Sequence, residues 1–252
     1  MFPILFQYKF ITIGGYGIML GIGFYISFLL LEREYKLSGI DPDLAYKILL
    51  VAIPGGIVGS KIFHILEHLD DFVNDPVGMI FSGSGLSVYG GYILSFLLAI
   101  FIIRYCKENV VKVFDATSPS LALGYCFGRF GCHVAGDGCF GLDTTGFWAT
   151  PYPNGIVPST ATVFPTPLFE VFFSFIVVGF LLNIRKLDLK QGVLFSTFLI
   201  LSGIPRFLVE FIRRNPEMVL GLSQAQIIGI IFTVCGIAGM IYFNLRQQAK
   251  SF

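Results

Sequence analysis

Long apolar runs and short polar segments alternate along the whole chain. Each run approaches the roughly 20 residues that an α-helix needs to cross the hydrocarbon core of a bilayer. The runs lack the short, alternating apolar and polar pattern that is typical of membrane β-strands. The pattern therefore predicts an all-α integral membrane protein with seven transmembrane helices. The predicted spans are residues 11–31, 46–66, 85–105, 117–133, 166–184, 192–212 and 223–243.

Composition agrees with a membrane protein and excludes an ordinary soluble domain. Hydrophobic residues make up 55% of the chain and charged residues only 13%, whereas charged residues are about 25% of a typical soluble domain. Neither a soluble domain nor a sequence repeat interrupts the runs, so residues 1–252 are interpreted as a single transmembrane domain. The net charge is +1 and no basic run is present, so nucleic acid is not a predicted partner.

The distribution of Lys and Arg predicts the orientation, because cytoplasmic segments carry the excess of positive charge. If the N-terminus is outside and the C-terminus is cytoplasmic, the basic residues of the outer segments are Lys9, Arg213 and Arg214, and the inner segments hold most of the others. The loop 134–164 then lies on the outer face. Because it has aromatic residues but no Lys or Arg, we expect it to form a cap at the level of the lipid headgroups.

Three basic residues lie inside predicted spans, where charge is costly and usually marks function. The predicted orientation places Lys61, Arg129 and Arg206 in the outer half of the bilayer or at its outer edge. Glu210 follows Arg206 by one helical turn, and Asp137 lies in the glycine-rich stretch after Arg129. One interpretation is a structural ion pair. The other, which the surplus of positive charge favours, is an anion site, because guanidinium groups suit phosphate oxygens.

Two further groups lie at a comparable depth. Lys61, His64 and His68 share one helix face, which indicates either a snorkelling lysine with histidines at the helix end or part of a binding site. A metal at His64 and His68 is disfavoured because the HExxH pattern is absent and thiolates are remote in sequence, so no metal and no cofactor is predicted. Tyr16 and Tyr89 have glycine neighbours, and each is either an interface anchor or a lipid contact.

The five cysteines lack CxxC spacing, which argues against a zinc or redox framework. Cys132 and Cys139 flank Asp137 on the predicted outer side. A disulfide between them is therefore one alternative in an oxidising compartment.

Short motifs run through the chain in a fixed order. They are GYGIML at 15–20, GSKIFHI at 59–65, YGGYIL at 89–94, LALGYCFGRFGC at 121–132, PTPLFE at 165–170, RFLVEFIRR at 206–214 and GLSQAQ at 221–226. Together they resemble the prolipoprotein diacylglyceryl transferase family of seven-span bacterial inner-membrane enzymes, whose central GRxGN…NGExxG signature is similar to GRFGC…AGDGCFG here. The resemblance implies transfer of a diacylglyceryl group from phosphatidylglycerol to the lipobox cysteine of a prolipoprotein signal peptide. A thioether forms and glycerol phosphate is released at the outer face of the membrane.

The resemblance also assigns roles to individual positions. The family's residue is retained at Tyr16, Arg129, Arg206 and Glu210. The departures are Tyr89 for the family's histidine before GG, Cys132 for its asparagine, Asp137 for its glutamate and Lys61 for its arginine in span two. The anion-holding residues thus carry over, whereas the residue usually put forward as the base does not.

The implied reaction needs a held phosphate and a base for the thiol proton. We expect Arg129 and Arg206 to stabilise the departing glycerol phosphate, with Asp137 and Glu210 orienting them. The candidates for the base are Tyr89, His64 and His133. The residues expected to contact phosphatidylglycerol are Arg129, Arg206, Lys61, Tyr16, His64, Cys132 and His133.

Two other functions remain open from the sequence. One is a related membrane transferase that moves a lipid or prenyl group to another acceptor, which the Tyr89 and Asp137 departures favour. The other is a non-catalytic lipid-binding or transport protein, which is disfavoured because the repeated halves that are common in transporters are not evident in this sequence.

Overall fold

A computed structural model describes residues 1–8, 11–81, 87–187, 189–219 and 221–248. The helices are α1 Gly15–Leu37, α2 Asp43–Glu67, α3 Leu69–Asn74, α4 Pro76–Phe81, α5 Val88–Tyr105, α6 Val110–Ala135, α7 Thr166–Ile184, α8 Val193–Val209 and α9 Gln224–Gln248. A single 3-10 turn, Glu210–Ile212, follows α8. The strands are β1 Ile4–Tyr8, β2 Ile11–Gly14, β3 Thr150–Tyr152, β4 Ser159–Val163, β5 Glu217–Val219 and β6 Leu222–Ser223.

Five of the described helices are long and apolar enough to cross a membrane. They are α1, α2, α7, α9, and α8 together with the 3-10 turn that follows it. The protein is therefore a multi-pass helical membrane protein. α5 contains a shorter apolar stretch, Gly90–Tyr105, and α6 contains the predicted fourth span, so the count of seven spans stays a prediction.

The structure shows short strands at the start of the first predicted span and in two of the predicted connecting segments. The first span was predicted from residue 11, but Ile11–Gly14 pairs with β1 as an antiparallel strand, and the helix begins at Gly15. β3 pairs with β4 and β5 with β6, also antiparallel, so the predicted cap loop contains a hairpin. Strands of two to five residues are too short to produce a clear period along the sequence. Residues 85 and 86 of the predicted third span lie outside the described residues.

The chain forms two compact units, Tyr35–Val113 and the remainder, Met1–Glu34 with Phe114–Phe252. Within Tyr35–Val113, α2 and α5 pack through glycines. A Cβ on Gly59 would lie 2.3 Å from the carbonyl oxygen of Gly90, so the two backbones touch where a side chain does not fit. This is the packing that small residues allow between membrane helices.

In the larger unit, α8 and α9 also pack closely at glycines. A Cβ on Gly203 would lie 2.5 Å from the carbonyl oxygen of Gly229. The start of α8 is fixed by Asp115 of α6, whose carboxylate accepts hydrogen bonds from the backbone nitrogens of Gly192 at 2.5 Å and Phe195 at 2.7 Å. A carboxylate at a helix N-terminus compensates the unpaired amide groups there.

Apolar residues of three helices form the core that supports the site. They come from α6, α7 and α8, and they are Ala122, Leu123, Val177, Val178, Leu181 and Leu194. Because this core holds the three helices side by side, charged residues further along each helix are brought to one place.

We expect the Gly203→Ala substitution to destabilise the larger unit, because the new Cβ would overlap the Gly229 carbonyl. Overpacking of this kind costs about 1–3 kcal/mol. Gly179→Ala is the matched control, since a Cβ at this helical glycine meets nothing within 4 Å. Thermal unfolding in detergent micelles should show a lower midpoint for Gly203→Ala only. Equal midpoints for the two variants would contradict the backbone contact.

Candidate functional site

One buried carboxylate joins two of the predicted arginines. Glu170 of α7 accepts a hydrogen bond from Arg206 Nη1 of α8 at 2.7 Å through Oε1, and its Oε2 lies 3.4 Å from Arg129 Nε of α6. The hydroxyl of Tyr125 donates to Glu170 Oε1 at 2.6 Å and accepts from Arg129 Nε at 3.0 Å. Glu170 therefore links α6, α7 and α8 through charged hydrogen bonds and ion pairs.

A second buried carboxylate extends this cluster. Glu210 Oε2 lies 3.6 Å from Arg206 Nη1 and 3.7 Å from Arg213 Nη1. Its Oε1 accepts hydrogen bonds from Ser223 Oγ at 2.9 Å and from the Asn215 side-chain amide. The cluster thus contains three arginines and two glutamates, and it keeps a net positive charge.

The glutamate side chains of this cluster are more deeply buried than those of Arg129 and Arg206. The side chains of Glu170 and Glu210 are 2% and 1% exposed, whereas those of Arg129 and Arg206 are 17% and 19% exposed. The carboxylates therefore lie behind the guanidinium groups, and the accessible side of the cluster is cationic. An arrangement of this kind can bind an anion such as a phosphate.

Three members of the cluster, Glu170, Tyr125 and Arg213, were not among the site residues predicted from the sequence. Glu170 is the most central of them. PTPLFE was recognised as a motif, but its acid was not selected as a candidate. The signal was present, because Glu170 is the one charged residue in the predicted span 166–184. An ionisable residue inside an apolar span is a functional candidate by the same reasoning that selected the arginines.

The orienting role that was predicted for Asp137 stays a prediction, and its carboxylate lies in the turn that follows α6. Among the described residues Asp137 forms no ion pair, and its Oδ1 accepts a hydrogen bond from the backbone nitrogen of Cys139 at 3.1 Å. Gly136 and Gly138 on either side have φ angles of +61° and +87°, which turn the chain sharply. Glu210, the other predicted orienting residue, lies 3.6 Å from Arg206, and its role also stays a prediction.

The thiols of Cys132 and Cys139 are both free, so the disulfide that was left open is not formed. Their sulfur atoms and an Asp137 carboxylate oxygen all lie within 4.8 Å of one another. Arg129 Nη1 is 3.9 Å from Cys139 Sγ. These side chains therefore adjoin the arginine cluster.

Other candidates of the same unit lie near the end of α6. His133 Nδ1 is 2.9 Å from the hydroxyl of Tyr152, a fully buried residue of β3 whose pKa is raised by its burial. A Cβ on Gly131 would lie 3.1 Å from Tyr16 Cδ2. The ring of Tyr16 therefore contacts α6 at Gly131, which follows Arg129 by two residues.

A close backbone contact ties the cap loop to the end of α8. Gly141 donates to the carbonyl of Phe164 at 2.8 Å, and Leu142 donates to the carbonyl of Ile212 at 2.8 Å. A Cβ on Gly141 would lie 2.2 Å from the Ile212 oxygen, so only glycine fits here.

The remaining candidates belong to the unit Tyr35–Val113. Lys61 and His64 lie on α2. His68 Nδ1 is 3.1 Å from the backbone oxygen of His64, and the two imidazole rings are 4.5 Å apart. The side chain of Tyr89, one of the three candidates for the base, lies outside the part of the structure that is described, and its role stays a prediction.

Comparison with known proteins gives a consistent result. The family described as prolipoprotein diacylglyceryl transferase matches residues 3–242. A phosphatidylglycerol–prolipoprotein diacylglyceryl transferase of Clostridium tetani is 34% identical over 99% of this chain and 100% of its own length. Similar proteins of that name from Leptospira interrogans and Clostridium perfringens are 30% and 32% identical. They match 100% and 94% of this chain, and 95% and 92% of their own lengths.

We expect the Glu170→Gln substitution to destabilise the protein strongly, because it leaves two partly buried arginines without their shared countercharge. Removing one partner of a buried ion pair costs about 3–5 kcal/mol. Denaturant unfolding in detergent micelles measures the effect.

The matched control is Asp143→Asn. Asp143 pairs with Arg214 at 2.5 Å, and the two side chains are 70% and 43% exposed, so its loss should cost less than about 1 kcal/mol. If both variants lose the same free energy of unfolding, the ion pairs of Glu170 do not stabilise the protein more than an exposed pair does.

Proposed function

Because this chain belongs to the prolipoprotein diacylglyceryl transferase family, we propose that it transfers a diacylglyceryl group from phosphatidylglycerol to the cysteine thiol of a prolipoprotein. The match covers nearly the full length of the chain and of its relatives, and their names state this activity. Within the structure, the observation that carries the proposal is the pair of accessible guanidinium groups held on Glu170. A phosphate diester is the substrate group that such a pair suits.

The proposal includes a membrane arrangement in one transmembrane domain over residues 1–252. The chain has seven spans, with α5 and α6 as the two beyond the five long apolar helices. Its N-terminus is outside, its C-terminus is in the cytoplasm of a bacterium, and the site faces the outer side of the inner membrane beneath the cap loop 134–164. The asymmetry of Lys and Arg supports this orientation. Span α6 is supported because the carboxylate of Asp115 in this helix bonds to backbone nitrogens of Gly192 and Phe195 within the protein.

The phosphate of phosphatidylglycerol binds between Arg129 and Arg206. Among the described residues, Arg129 Nη2 and the Nε and Nη2 of Arg206 have no hydrogen-bond or ion-pair partner. These nitrogens are free to donate to phosphate oxygens, while Glu170 fixes the other side of each guanidinium. Glu170 and Glu210 are thus positioning residues. Tyr16, Lys61, His64, Cys132 and His133 are proposed lipid contacts.

The reaction displaces a phosphate ester by a thiolate. The sulfur of the lipobox cysteine bonds to the glycerol carbon that carries the phosphate, and the carbon–oxygen bond breaks. The electron pair leaves with glycerol phosphate, whose negative charge the arginines stabilise. The thiol proton passes to a base, for which Tyr89, His64 and His133 are the candidates.

Complementation tests this function. In a bacterial strain that lacks its diacylglyceryl transferase, we expect this chain to restore lipid modification of a prolipoprotein. We expect the Arg129→Ala and Arg206→Ala variants to fail, since the loss of one donor to a developing negative charge lowers the rate by about 100- to 1,000-fold. Transfer of labelled diacylglycerol to a lipobox peptide in isolated membranes measures the rate directly.

Arg214→Ala is the control, because Arg214 pairs with exposed Asp143 and should retain full transfer. No restoration by the unmodified chain would favour a different acceptor or a non-catalytic protein. Full transfer by both arginine variants would contradict the phosphate site.

Tyr89→Phe tests the base. If Tyr89 accepts the thiol proton, the variant should transfer about 100-fold more slowly, and Tyr89→His should recover part of the rate. The pH dependence of transfer by Tyr89→Phe, His64→Ala and His133→Ala identifies which group titrates. A full rate for Tyr89→Phe removes Tyr89 from this role.

A further inference from the structure

A cluster of thiols and one carboxylate adjoins the arginines and has no assigned ligand. The Cys132 and Cys139 sulfur atoms and an Asp137 oxygen lie within 4.8 Å of one another. Cys132 is buried, and the other two are partly buried. We propose that these three side chains form a binding site for a thiophilic divalent cation, for which Zn²⁺ is the best match.

The geometry suits a tetrahedral ion. With zinc–sulfur bonds of about 2.3 Å, two thiolate ligands of one Zn²⁺ lie about 3.8 Å apart. A separation of up to 4.8 Å therefore closes with a shift of about 1 Å or less. Two thiolates and one carboxylate are a donor set that selects zinc over magnesium or calcium, which prefer oxygen ligands alone.

The surrounding backbone holds the ligands in place. The carbonyl oxygen of Cys132 accepts a hydrogen bond from the backbone nitrogen of Gly136 at 2.9 Å, which anchors the turn to the end of α6. Thr166 Oγ1 donates to the carbonyl oxygen of Cys139 at 2.6 Å, which anchors the turn to α7. Asp137 Oδ1 accepts from the Cys139 backbone nitrogen at 3.1 Å, which fixes the carboxylate beside the two thiols. Outer hydrogen bonds of this kind orient metal ligands.

The charges also balance. Two thiolates and a carboxylate around a divalent ion give a complex with one net negative charge. Arg129 compensates it, since its Nη1 is 3.9 Å from Cys139 Sγ. Three protein ligands leave a fourth tetrahedral position open, as in catalytic rather than purely structural zinc sites. Water or an external thiolate suits that position.

This proposal departs from the expectation of no metal that was drawn from the sequence. The sequence did not indicate a metal site because Cys132 and Cys139 lack CxxC spacing. The turn at residues 136–138, which contains Asp137, lies between them. The structure offers one other group of this type among its described residues, His64, Glu67 and His68. There Glu67 and His68 are exposed, and that group has no thiol.

Cobalt titration tests the proposal on the full chain, reduced and kept without oxygen in detergent micelles. Co²⁺ should bind with a thiolate-to-cobalt charge-transfer band, and Zn²⁺ should displace it. Cys132→Ser and Cys139→Ser should each strongly weaken or abolish binding, because each removes a direct thiolate ligand, and Asp137→Asn should weaken it because it removes the carboxylate ligand. Cys126→Ser, at another buried cysteine of α6, and His68→Ala should leave the band unchanged.

Thermal unfolding of each variant shows whether it is folded. If Cys132→Ser and Cys139→Ser do not fold, the folded Asp137→Asn variant decides the test by the same measurement. Absence of the band in the unmodified chain, or an unchanged band in the folded ligand variants, overturns the site. A Cys132–Cys139 disulfide in the protein purified without oxidant also overturns it. The readout is absorption, so the result does not depend on whether the chain transfers lipid.

Discussion

The ion pairs of Glu170 are the interaction on which the rest of the site depends. Arginine does not lose its proton in proteins, so a guanidinium group among apolar helices needs a nearby negative charge. Glu170 supplies that charge to Arg129 and Arg206 together. Because these residues come from α6, α7 and α8, the pairing also fixes the three helices along their axes. The apolar core brings the helices together, and the carboxylate determines their register.

Close helix contacts at glycines support this arrangement. α8 lies against α9 where Gly203 meets Gly229, and α1 lies against α6 where a Cβ on Gly23 would be 2.5 Å from Phe127 Cβ. In a membrane, tight packing replaces the hydrophobic effect as the main attraction between helices. Helices that pack without space for adjustment hold Arg206 and Arg129 in place, which a phosphate site requires.

The sequence allowed the two arginines to be predicted because charge in an apolar run is conspicuous. Their partner was missed, since which of several distant acids meets an arginine depends on how α6, α7 and α8 pack. Asp137 is close to Arg129 in sequence, yet the glycines around it turn it toward Cys132 and Cys139. Long helices such as α2 and α9 were predictable from hydropathy. The hairpins were not, because their pairing depends on contacts across turns and not on periodicity.

The contact between Gly141 and Ile212 has a mechanical consequence. Ile212 ends the short turn that begins at Glu210, and Arg213 forms a β-bridge with Gly141. The loop after α6 is thus bonded directly to the turn that ends α8, and Glu210 is the first residue of that turn. Because Glu210 begins that turn, a displacement of the loop would also move the segment that holds the carboxylate beside Arg206.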